Sequence, residues 1–341
     1  MRRENCALLA VAIQETTERT DEPMTLPSEA TLTDREMSGN VIAEQRPAVW
    51  AGPLGVAWIA AFCGTAAQTL APWAVTGFFS SLAIKDRLLS RLGWLLVLAA
   101  PVFAAIGLMD PHTAFNVSPW IKPIKFSVSF ATFTWTVALF LTAVRIPGWQ
   151  RRLVRRVMVS SIVAEMLCLA AQAWRNVPVG SGDFTDYLLQ QGTTIMVSLN
   201  TLVTVWLMLV FCGKRERIKL ADYAQIIAIR LSIAIFLVGN AVGGYMLARG
   251  AHTVGATDGG PGLPFVNWST VGGDLRIAHF IAIHAIQIVP LFAYILWQMT
   301  PRPAIRQRSL AVYAVAALVI LAVGGTFLQA MAAQPFMTFG R

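Results

Sequence analysis

Eight apolar blocks, each about as long as a membrane crossing, divide this chain and leave few folds open to it. They cover 54–79, 92–109, 126–144, 157–174, 193–212, 231–248, 277–298 and 310–328. A helix needs about 20 apolar residues to cross a bilayer core. Lipid offers no hydrogen bonds, so backbone there must satisfy itself within helices or closed barrels. Blocks of this length predict an all-α, polytopic bundle with seven spans and an eighth near the N-terminus. The block 54–79 holds Pro72 and several Gly and Thr residues, so it reads as either a span or a re-entrant segment. Residues 1–50 are polar and low in aromatics, which predicts a disordered tail before a transmembrane domain over 51–341. A short apolar run from Cys6 to Ile13 follows Arg2 and Arg3 and is too short to span. It reads as a weak signal-peptide pattern or as a start placed too far upstream.

Composition agrees with the blocks. The chain is 56% hydrophobic and 13% charged, against about 25% charged in an average soluble domain. A net charge of +9 would suggest nucleic acid in a soluble protein. Here the basic residues sit between spans, where they set topology, and no nucleic-acid partner is expected. Lys85–Arg91, Arg151–Arg156, Lys214–Lys219 and Arg302–Arg308 occupy every second connection as basic loops. The alternate connections, 110–121, 175–192 and 249–275, are richer in Asp, Gly and Pro. The positive-inside rule then places the basic connections in the cytoplasm of a bacterial inner membrane and the C-terminus outside. Cys6, Cys63, Cys168 and Cys212 show neither metal spacing nor a disulfide framework.

One span carries unusual chemistry. Gly273 to Phe292 includes Arg276, His279, His284 and Gln287. At about 100° per residue these four fall within a sector of about 140°. Ionisable groups at membrane depth are costly and mark candidate functional sites. Depth, at about 1.5 Å per residue, puts Glu165, Asn200, Asn240 and His284 near the midplane. Lys122, Lys125, Gln172, Arg175, Arg276 and His279 form a second layer nearer the outer face. Gly239 to Gly243 reads as a small-residue helix contact. Pro290 is expected to kink its helix beside His284. The outer connections look built, with Trp120 and Trp268 as interface anchors beside Gly- and Pro-rich turns.

The segments Pro119-Trp120-Ile121-Lys122-Pro123-Ile124-Lys125-Phe126 and Gly273-Asp274-Leu275-Arg276 to His279, His284 and Gln287 resemble a family of bacterial polytopic membrane proteins of about seven helices. The resemblance covers about 92–330 and implies no activity, cofactor or catalytic residue. The chain is also similar in outline to seven-helix zinc hydrolases of the ceramidase and progestin-receptor type. It departs from their His-x-x-x-His pair, because four residues separate His279 from His284.

Three functional classes follow. The first is binding or transport of a small solute or ion at an outward-opening polar cavity. Glu165 and His284 would be its titratable centre. Gln287, Asn200 and Asn240 would join them, with Lys125, Arg175, Arg276 and His279 at the mouth. The second is an intramembrane metal-dependent or redox enzyme. A divalent metal would draw on His279, His284 and Glu165, although histidines five apart diverge on a helix and i, i+4 suits one metal better. Haem would need a histidine with a partner across the ring. Loop-borne His252, Asp258 and Asp274 would also serve such an enzyme. The third is a scaffold in which His, Gln and Asn only join helices. No internal repeat is evident along the sequence, which weighs against transport. The oligomeric state is not legible.

Overall fold

A computed structural model of the chain describes residues 86–113, 117–176, 183–220, 222–299 and 305–337. The N-terminal tail and the block 54–79 lie outside them. The described residues form seven long helices: α1 (Arg87–Met109), α2 (Ile121–Thr142), α3 (Gly148–Arg175), α4 (Phe184–Cys212), α5 (Tyr223–Arg249), α6 (Leu275–Met299) and α7 (Ile305–Met331). All seven are long and apolar enough to cross a membrane. The chain is an all-α integral membrane protein. Leu95, Leu98, Leu108, Leu167, Leu202, Leu209, Leu318, Leu321 and Leu328 are among the exposed apolar side chains. In water these would be a liability; against lipid they are the expected surface.

Local chemistry sets the helix ends. Asp86 caps α1 by accepting from the Leu89 amide at 3.3 Å, and Asp222 caps α5 by accepting from Ala224 at 3.0 Å. Each satisfies an amide that has no partner within its own helix. Asn176 ends α3 and Gly250 ends α5, both in the left-handed region, the common C-terminal stop. The helices run further than the apolar blocks. Arg151–Arg156 belongs to the first turns of α3, and Arg87 and Arg91 to those of α1. These two basic stretches, read as loops, are therefore largely helical among the described residues, whereas Arg215–Arg217 forms only a short 3-10 turn. A helix can continue past the hydrocarbon because its hydrogen bonds are internal at any depth. Likewise α4 begins at Phe184, inside the stretch 175–192 read as a connection.

The basic connections gather at one end of the bundle. Val144 bridges Ile218, Arg145 donates its amide to Arg217, and Lys219 donates to Ala143 at 2.8 Å. At the opposite end Trp120 donates its indole N–H to Asp110 at 2.8 Å and stacks on Phe103, closing the α1–α2 turn. There too a short antiparallel pair, β1 (Thr253–Val254) with β2 (Gly273–Asp274), lies before α6.

α5 and α6 are the most closely packed pair. A Cβ on Gly239 would lie 2.9 Å from Ala282 Cβ and 3.0 Å from the Ile283 amide nitrogen. One on Gly243 would lie 3.0 Å from the His279 ring. The small residues are what let the two backbones approach. One core joins α1 to α4 with the near face of α5 and Ile286; a second joins α5, α6 and α7.

Candidate functional site

Polar side chains converge between α2, α3 and α4. Lys122 enters from the first turn of α2 and donates to Gln172 Oε1 on α3 at 3.4 Å. Its nearest carboxylates are Glu165 on α3 and Asp186 on α4. Glu165 lies seven residues before Gln172, two turns along the same helix face. Asp186 and Gln190 are four apart on α4 and share a face in the same way. Glu165 is 1% exposed, and its Oε2 atom has no hydrogen-bond partner. Gln172 Nε2 and Gln190 Oε1 are also buried without partners. Leaving such atoms unpaired costs about 1–3 kcal/mol each, more for a charge. A free acceptor on Glu165 and a free donor on Gln172 beside an ammonium, with Gln190 Oε1 on the Asp186 face of α4, form a site suited to a polar guest.

α3 and α4 hold this arrangement by further contacts on one side. Ser161 donates to Asn200 Oδ1 at 3.1 Å, one helical turn below Glu165. Gly192 lets Cys168 approach, since a Cβ there would lie 3.2 Å from Cys168 Sγ. Asn200 also donates to the Met196 carbonyl. Asn240 on α5 accepts from Thr201 on α4 at 3.3 Å. The two asparagines therefore join α3 to α4 and α4 to α5.

Glu165 and His284 lie on helices that pack mainly on other partners. α3 packs on α4, α2 and α1, whereas α6 packs on α5, α7 and the edge of α2. His284 sits edge-on to Phe280, ring centroids 4.4 Å apart. Gln287, one turn on, keeps a buried Oε1 without a partner. His279 turns to α5, its Nδ1 2.7 Å from the Gly239 carbonyl. Among the described residues no three His, Cys, Asp or Glu side chains form a group able to hold a metal ion. The expected set of Glu165, His279 and His284 is not assembled among the described residues, since α3 packs mainly on α4 and α2 while α6 packs mainly on α5 and α7. Arg175 is exposed and pairs with Asp183. Asp186 and Gln190 were missed from sequence because 175–192 read as a loop. The i, i+4, i+7 series of Asp186, Gln190 and Thr193, continued by Asn200, was the signal for a polar helix face.

The connection before α6 is organised by two carboxylates. Asp274 is buried and accepts from the Ser269 amide and from the amide and Nε of Arg276. Arg276 also donates to the Asn267 carbonyl, and Lys125 donates to that of Val266 at 3.4 Å. Asp258 accepts from the amides of His252 and Thr253. Burial, then Arg276, hold His252 below the ordinary imidazole range despite Asp258 3.3 Å away. At Asp258 burial acts upward, but hydrogen bonds from Thr253 and His252 outweigh it and hold the carboxyl low. Both shifts have one sign. A depressed folded pKa gives stability that is present above the unfolded pKa and lost as pH falls. Corrected amide exchange at 252–274 is expected to quicken as pH drops below about 6.5, the free imidazole value. Slower exchange on acidification would contradict the assignment.

No protein-family model, curated protein or solved structure matches the chain.

Proposed function

We propose that this membrane protein binds a small, neutral, polar solute at the cluster between α2, α3 and α4. The carrying observation is the buried, unpartnered Oε2 of Glu165 beside Lys122. Charge supports a neutral guest. Lys122, Lys125 and Arg276 are matched nearby by Glu165, Asp186 and Asp274. A bare ion would upset that balance, while hydroxyl or amino groups can donate to Glu165 and Gln190 and accept from Gln172. The half-buried Lys122 at the head of α2 supports an opening at the end opposite the basic connections.

The test is thermal melting of the purified protein with glucose, inositol, glycine or sodium chloride. At least one of the first three is expected to raise the melting temperature of wild type and His284→Ala, but not of Glu165→Gln. Bound solute at 100 times Kd adds about 2.7 kcal/mol, a shift well within measurement. Identical responses in wild type and Glu165→Gln would count as general osmolyte effects and defeat the reading.

The gathered basic connections support a cytoplasmic basic end and an outward-facing site. Reporter fusions after Lys214 and Arg306 are expected to report cytoplasm, and those after Asp183 and Gly260 the outside. The reverse pattern would turn the site inward.

A further inference from the structure

The fold contains a repeat that the sequence hides. Asp86 caps α1 and pairs at 2.9 Å with Arg155 of α3, two helices later. Asp222 caps α5 and pairs at 3.0 Å with Arg308 of α7, again two helices later. Both carboxylates are buried. The second helix of each triplet opens on matching chemistry: Ile121-Lys122-Pro123-Ile124-Lys125-Phe126 in α2 and Leu275-Arg276-Ile277-Ala278-His279-Phe280 in α6. The packing order matches as well. In each triplet the first helix lies mainly on the second, the third next on the second, and the first least on the third.

A two-fold axis between the triplets would account for one further contact. α2 touches its own counterpart α6, as happens where such an axis passes between equivalent elements. α4 lies outside the repeat, against α3 and α5. Those two are accordingly more buried than their counterparts α7 and α1. α4 also has a topological role. A triplet ends on the opposite side from where it began, so a direct copy would be inverted. One extra crossing restores the direction, and α1 and α5 both leave the basic end. Parallel repeats about an axis along the membrane normal are an architecture of carriers, in which one repeat moves against the other.

We infer that the protein is a duplicated three-helix carrier. Units α1–α3 and α5–α7 move against each other at the α2–α6 seam, and the Asp86–Arg155 and Asp222–Arg308 pairs keep each unit rigid. The cargo class rests on the solute-binding reading above; the two moving units do not. α2 connects them, because it carries Lys122 into the solute site and meets α6 on the axis. At the outer end of the seam Lys125 faces Arg276 and Asp274 across the two units. That charged contact is the one a rocking motion would remake.

Spin-label distances test this on the full chain in lipid nanodiscs, with the native cysteines replaced by serine. Labels at Arg152 and Arg306 report between units, and labels at Arg91 and Arg152 within one; all three positions are exposed. The between-unit pair is expected to show two populations in solute-free protein, with their balance shifted by glucose, inositol or glycine. The within-unit pair is expected to stay single. Arg155→Gln should broaden the within-unit distance, and Arg155→Lys should restore it, which separates loss of the clamp from loss of fold. A single, unresponsive between-unit distance overturns the carrier inference even where melting shows solute binding. Two populations without any melting response sink the binding reading and leave the moving units standing.

Discussion

Gly273→Ala adds one methyl group and is expected to unseat the end of α7. A Cβ at this position would lie 2.0 Å from the Ala330 carbonyl oxygen and 2.6 Å from its carbon. The obstacle is backbone, which cannot turn aside as a side chain can. Beside it, a Cβ on Gly255 would lie 2.4 Å from Ala333 Cβ, and Gly255 has a φ of +78° that favours glycine. The β1–β2 pair is thus laid directly on the last turn of α7. Overpacking costs about 1–3 kcal/mol where side chains can adjust, and a loss of about 3 kcal/mol is expected here, where they cannot. The control is Gly324→Ala in the same helix. A Cβ there meets nothing within 4 Å, and alanine gains up to about 1 kcal/mol over glycine in a helix. Melting should fall sharply for the first variant and hold or rise for the second. Equal melting of Gly273→Ala and wild type would show that the strand pair does not rest on α7.

Lys122→Met is expected to destabilise strongly, by order 3 kcal/mol, because it leaves the buried Glu165 without its counter-charge. Removing one partner of a buried pair costs about 3–5 kcal/mol, and partial exposure of Lys122 keeps the figure at the low end. The informative variant is the double one. Lys122→Met with Glu165→Gln removes both charges and is expected to recover more than half of the loss. Groups in one network couple by about 0.5–3 kcal/mol, whereas independent sites add. Simple additivity in the melting data would mean that Lys122 and Glu165 do not share a site. A matching cycle between His284→Ala and Glu165→Gln should be additive, since their helices pack mainly on different partners.

The seven described membrane helices and their order were legible along the chain, while the block 54–79 lies outside the described residues. Crossing a bilayer depends on the local length of apolar sequence, and each block carries that information by itself. The alternation of basic and Gly/Pro-rich connections likewise matched the two ends of the bundle. The Gly239–Gly243 contact was legible for the same reason, since small residues at this spacing matter only to the next backbone. Helix limits were less so. Arg151–Arg156 and Phe184–Gly192 were read as connections because hydropathy marks where lipid ends, not where hydrogen bonding ends.

Which polar groups meet was decided only by tertiary structure. Depth along a helix is one coordinate, and it set Glu165 and His284 level with each other. Neighbourhood is a second coordinate, and it depends on which helices pack together. α3 turned to α2 and α4, giving Glu165 to Lys122 with Asp186 beyond. α6 turned to α5, giving His279 to the Gly239 carbonyl. The repeat is concealed for a related reason. Its two copies share ion pairs between helices two apart, and those partners lie 69 residues apart in one copy and, by position, further in the other. Sequence determines what each segment must bury; packing determines against what, because side chains distant along the chain become neighbours only when the helices assemble.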